Sequence, residues 1–106
     1  AVVHAEQGLA LSDARGHDIV LRTYLLAALA LSRLALGDLD QAEHAVREGI
    51  QLSRMLKDTV TCATFLETAS WIAAARQEPW RAAVLMAAAG AIGRAAGATG
   101  AVSARV

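Results

Sequence analysis

The chain has 106 residues and a mass of 11.0 kDa, and its ten basic and ten acidic side chains cancel. That balance argues against a nucleic-acid binder held by a surplus of Lys and Arg, and 56% hydrophobic against 19% charged residues excludes a disordered chain. One proline, eight glycines and 4% aromatics exclude an all-β sandwich or barrel, and a lone cysteine, Cys62, excludes an internal disulfide framework and fits a reducing compartment. Alanine occurs 26 times, and arginine outnumbers lysine nine to one. Alanine loses no side-chain entropy in a helix and lets helices approach closely, so the expected class is all-α.

In chain order, the punctuation predicts five helices, near 2–14, 18–36, 39–56, 59–76 and 79–97. Helix-like sequence begins at Ala1 without a methionine, as expected of a slice from a longer chain. The first break is Gly16-His17-Asp18, with Asp18 as cap. At Gly37-Asp38-Leu39-Asp40-Gln41, Gly37 suits the left-handed residue after a helix, Asp38 caps the next, and Gln41 completes a capping box. Lys57-Asp58-Thr59 is the third break, with Asp58 as cap. In the fourth, Gln77-Glu78-Pro79, the proline fits the first helical position, where its missing N–H would be unpaired anyway. Such short loops between long helices force antiparallel neighbours.

The helices differ in how they bury themselves. From 39 to 56, Leu39, Ala42, Val46, Gly49, Ser53 and Leu56 form one stripe opposite a charged face, as on an outer helix. From 18 to 36, Val20, Leu21, Tyr24, Leu25, Leu26, Leu29, Leu31, Leu34 and Leu36 surround the axis, and a helix apolar nearly all round is expected between neighbours. Inner and outer helices therefore alternate. Gly8-Leu9-Ala10-Leu11-Ser12 recurs as Gly49-Ile50-Gln51-Leu52-Ser53, and Ala42 recurs as Ala82, a period of about forty residues. That period predicts an α-α superhelix.

The string Leu36-Gly37-Asp38-Leu39-Asp40-Gln41-Ala42-Glu43 resembles the turn of a tetratricopeptide repeat, with the helix-crossing alanine at Ala42. Its other small positions then fall at Ala30 and Gly49, and in the next repeat at Ser70, Ala82 and Ala89. The resemblance implies a solenoid: a preceding outer helix (1–14), one repeat over 18–56, a second over 59–97, and a flexible tail over 98–106.

Residues 63–98 carry a closer resemblance. Phe65-Leu66-Glu67-Thr68-Ala69, Ala73-Ala74-Ala75-Arg76, Trp80 through Ala89 and Gly97-Ala98 are similar to the closing repeats of actinobacterial LuxR-type (MalT-like) regulators, in which an ATPase module precedes such repeats. Gly90 stands where that pattern has glutamate, and Gln77 where it has glycine. The chain has no phosphate-cradling GxxxxGK[ST] loop and no recognisable DNA-reading segment. The resemblance implies a regulatory role for the parent protein; the zero net charge predicts that this segment does not itself contact nucleic acid, and the lack of a span or leader predicts a cytoplasmic protein.

Catalysis and metal binding find little support. His4, His17 and His44 lie far apart, and Asp38-x-Asp40 lacks the glycine and closing glutamate of a calcium loop. Cys62 lies among Val60, Phe65 and Leu66 with no histidine nearby to activate it. Glu67 and Glu78 are three helical turns apart. No enzyme, cofactor or metal site is expected. The longest uncharged run, Ala82 to Gly93, is twelve residues, short of the about 20 a membrane span needs, and the start has no basic leader.

What remains is recognition through the inner helices. By register, Tyr24, Ala27 and Leu31 in one repeat and Thr64, Glu67, Trp71 and Ala74 in the next line the concave side of a tetratricopeptide array. An aromatic beside a carboxylate in a groove suits a protein or peptide partner; the competing reading packs Trp71 beneath a neighbouring repeat. The candidate partner-binding residues are Tyr24, Leu31, Thr64, Glu67 and Trp71. Gly90, Gly93, Gly97 and Gly100 fall on a narrow stripe, which reads either as a close helix contact, including one across a homodimer, or as a helix fraying into a tail. The sequence thus predicts a non-catalytic interaction and scaffold module of a transcriptional regulator, holding a partner or a sister subunit. The alternative is a sensing domain that binds a small apolar effector between the inner helices.

Overall fold

A computed structural model describes residues 11–105, with side chains described from residue 16 to residue 97. The described residues form four α-helices and no strand: α1 (Leu11–Ala35), α2 (Leu39–Met55), α3 (Thr59–Ala75) and α4 (Pro79–Arg105). The all-α class holds, and four of the five expected helices have counterparts among the described residues. The expected helix near 2–14 falls largely outside the described residues. The break at Gly16-His17-Asp18 is replaced by continuous helix. Each residue added to a helix adds a hydrogen bond, and an interior glycine costs only about 1 kcal/mol. Among the described residues no helix packs on the outer side of α1. At the other end α4 continues past residue 97 to Arg105, through a stretch rich in alanine.

The remaining three breaks fall where the sequence places them, and they are built alike. Gly37, Lys57 and Gln77 take the left-handed backbone, with φ of 81°, 54° and 61°. After α1, the Gly37 N–H donates to the Leu34 carbonyl and the Asp38 N–H to that of Arg33, at 3.0 and 2.9 Å. Lys57 and Asp58 bond in the same way to Arg54 and Ser53, and Gln77 and Glu78 to Ala74 and Ala73. This pattern satisfies the last carbonyls of one helix while the next residue opens another. Asp38 and Asp58 then accept from the N–H groups of Gln41 and Thr61. The turns recur every twenty residues, and α2 and α3 are both 17 residues long, so α1–α2 and α3–α4 correspond at an offset of forty.

Packing is mainly between sequence neighbours: α3 with α4, α1 with α2, α2 with α3, and more lightly α1 with α3. The result is a slab of 48 × 41 × 17 Å. Its core is Leu26, Ala30, Ala42, Ala45, Val46, Phe65 and Ile72, supplied by three helices. Small residues sit at the crossings: Ala30, Ala42 and Ser70 are buried, and Ala82 on the last helix is half-buried. Gly49 is a further close approach, because a Cβ there would lie 2.3 Å from the Phe65 ring. The buried hydroxyls need no outside partner. Thr23, Ser53, Thr68 and Ser70 donate to carbonyls three or four residues back in their own helices.

Among the described residues, α1 is not sandwiched. It buries Thr23, Leu26 and Ala30 along one stripe, while Leu21, Tyr24, Leu25, Leu29 and Leu31 stay exposed. A helix in a slab this thin is covered only by the neighbours beside it, and α1 has them on one side among the described residues.

Candidate functional site

The five candidate residues lie on the two helices that open each pair. Tyr24 and Leu31 are on α1, and Thr64, Glu67 and Trp71 on α3; all five are exposed. Tyr24 corresponds to Thr64 and Leu31 to Trp71 under the forty-residue offset. Thr64 donates its hydroxyl to the Val60 carbonyl at 3.1 Å.

Thr64 and Glu67 join a larger feature, an open groove of about 580 Å³ between α3 and α4. Val60 and Ala63 complete its α3 wall; Met86, Ala89, Gly90, Gly93, Arg94 and Gly97 are among those on the α4 side. Glycines at 93 and 97 leave open space where a side chain would stand. Tyr24, Leu31 and Trp71 are not part of that lining. A second groove, about 360 Å³, runs between α1 and α2 and is bordered by Arg22, Leu25, Leu29, His44 and Glu48. Cys62 borders a third, of about 300 Å³, with Arg54, Lys57 and Ile92.

Charged residues clip the helices together rather than gather into a site. Arg76, at the end of α3, donates through Nη2 to Asp40 and Glu43 of α2, at 2.7 and 3.3 Å. Arg81 of α4 and Arg47 of α2 reach the same Glu43 at 3.6 and 3.2 Å. The hydrogen bond to Asp40, working against desolvation, holds the Arg76 guanidinium above its ordinary pKa. Arg22 of α1 binds Glu48 of α2. That bond pulls the Glu48 carboxyl below its ordinary range, against the opposing effect of burial. Glu43 and Arg47 are an i,i+4 pair on one helix; Arg76 and Asp40 are 36 residues apart and meet only through the fold.

Among the described residues, no three His, Cys, Asp or Glu side chains are placed to share a metal ion, and no helix is long and apolar enough to cross a membrane. No family model matches the chain, and neither a curated protein nor a solved structure matches it.

Proposed function

We propose that the chain is a non-catalytic protein-interaction and scaffold module, a tetratricopeptide-like solenoid in a cytoplasmic transcriptional regulator of the LuxR type. It holds a protein partner or a sister subunit on the surfaces of its helical pairs. The observation that carries this reading is the exposure of large apolar side chains on corresponding turns of α1 and α3. Tyr24 is 63% exposed, Leu31 46% and Trp71 43%, beside the carboxylate Glu67. Exposed large apolar side chains grouped on one surface mark interaction sites, and aromatics are the usual anchors of a partner. The three matching loops and the buried small residues at Ala30, Ala42 and Ser70 support the solenoid register. The regulator context rests on the likeness of residues 63–98 to the closing repeats of such proteins.

The open grooves speak for a polypeptide ligand and against a small apolar effector, which would need to be enclosed for most of its surface. A photo-crosslinking residue placed at Glu67 or Trp71, in the protein expressed in its native cell, tests the reading. Adducts to a defined polypeptide at both positions, and none from the exposed outer position Arg47, are expected. Labelling no stronger than at Arg47 would overturn it.

A further inference from the structure

We propose that the junction of α2, α3 and α4 binds one buried water molecule, hydrogen-bonded between the Arg76 guanidinium and the Glu43 carboxylate. Arg76 ends α3, and its Nη2 is engaged by Asp40 at 2.7 Å and by Glu43 at 3.3 Å. Its Nε–H is buried, and no group among the described residues accepts from it. The buried hydroxyls of Thr23, Ser53, Thr68 and Ser70, by contrast, all donate within their own helices. A buried donor without an acceptor gives up its hydration for nothing, and the penalty is larger on a charged group. An ordered water is the common remedy.

The room for it lies beside the same side chain. A cavity of about 20 Å³ is lined by Arg76 together with Glu43, Val46, Ile72, Glu78 and Arg81. A water needs roughly 10–15 Å³ of such room, so the cavity suits one and excludes a larger ligand. Val46 and Ile72 are buried and close its inner side. Every lining residue falls within 43–81, in the middle of the described helices.

The polar groups also select the guest. The Nε–H needs an acceptor, whereas the carboxylates of Glu43 and Glu78 need donors. Water supplies both. A halide would accept from the arginine but face the carboxylates, and a metal cation can accept nothing from an N–H. Glu43 has capacity left: a carboxylate offers about four acceptor positions, and Arg47, Arg76 and Arg81 approach it at 3.2, 3.3 and 3.6 Å. The water completes the ionic clip that joins three helices, whichever partner the outer surfaces hold.

Nuclear magnetic resonance on the ¹⁵N-labelled chain tests this. The Arg76 Hε is expected to show a dipolar, not exchange, cross-peak to water in a rotating-frame experiment, and to exchange more slowly than the Hε of exposed Arg47. Arg76→Lys keeps a cation for Asp40 and replaces the Nε–H by a methylene. It is expected to lose one long-lived water from the ¹⁷O relaxation dispersion while helicity by circular dichroism is retained. Arg47→Lys, which alters the same Glu43 from the solvent side, is expected to keep that water. A wild-type Hε with no dipolar contact to water, or one that exchanges as fast as that of Arg47, would overturn the proposal whether or not the lysine variant folds. An Hε shift that tracks chloride concentration would place an ion there and overturn it equally.

Discussion

Gly49 is where a single atom decides the packing. An added Cβ would sit 2.3 Å from the Phe65 ring. That overlap forces Phe65, which is 1% exposed, out of the core it shares with Val46 and Ile72. Overpacking of this kind costs about 1–3 kcal/mol, and so severe an overlap lies at the upper end. Alanine returns roughly 1 kcal/mol of helix propensity, so Gly49→Ala is expected to lower the melting temperature despite improving the helix. Shortening the ring isolates the cause. In a double-mutant cycle, Phe65→Leu costs stability alone yet partly rescues Gly49→Ala, giving a favourable coupling. Strict additivity would mean that Gly49 serves something other than the ring. The sequence shows Gly49 on the buried stripe and Phe65 as apolar; it does not show that they touch, because that depends on how far α3 slides along α2.

The elements are legible where local chemistry sets them. Asp38 and Asp58 cap because a carboxylate can accept the N–H groups of the first turn, and Pro79 begins a helix because it has no N–H to lose. Gly16-His17-Asp18 has similar letters but lies within the continuous helix α1, where each residue keeps its backbone hydrogen bond and the glycine costs only about 1 kcal/mol. The sequence also identifies the left-handed residue only where it is glycine. Lys57 and Gln77 take the same backbone at φ of 54° and 61°, and each carries a Cβ that this region penalises. Lys57→Gly and Gln77→Gly are therefore each expected to stabilise the fold, by about 0.5–1 kcal/mol after glycine's extra unfolded entropy. The gains should add, because the loops are well separated. Thermal unfolding checks this, with Gly37→Ala expected to move the other way; destabilisation by both glycine variants would show that the side chains hold the loops.

For the whole molecule, burial is distributed by position in the row of helices. In a slab 17 Å thick the core lies between adjacent helices, so a helix is protected only by what lies beside it. The interior members α2 and α3 carry most of the buried side chains, among them Ala42, Val46, Ser53, Phe65, Thr68, Ser70 and Ile72. The flanking α1 and α4 keep Leu21, Leu25, Trp80 and Val84 in solvent. This imbalance explains why the candidate surfaces were only partly legible: composition locates apolar helices, but which face goes uncovered depends on the neighbours present. It also predicts the order of local opening, since amides open most readily where few buried contacts must break. Hydrogen exchange followed by mass spectrometry at low concentration should find the slowest amides in the middle of α2 and α3, with α1 and α4 exchanging earlier. Equal protection along all four helices at low concentration would mean that stability is shared globally rather than passed from helix to helix.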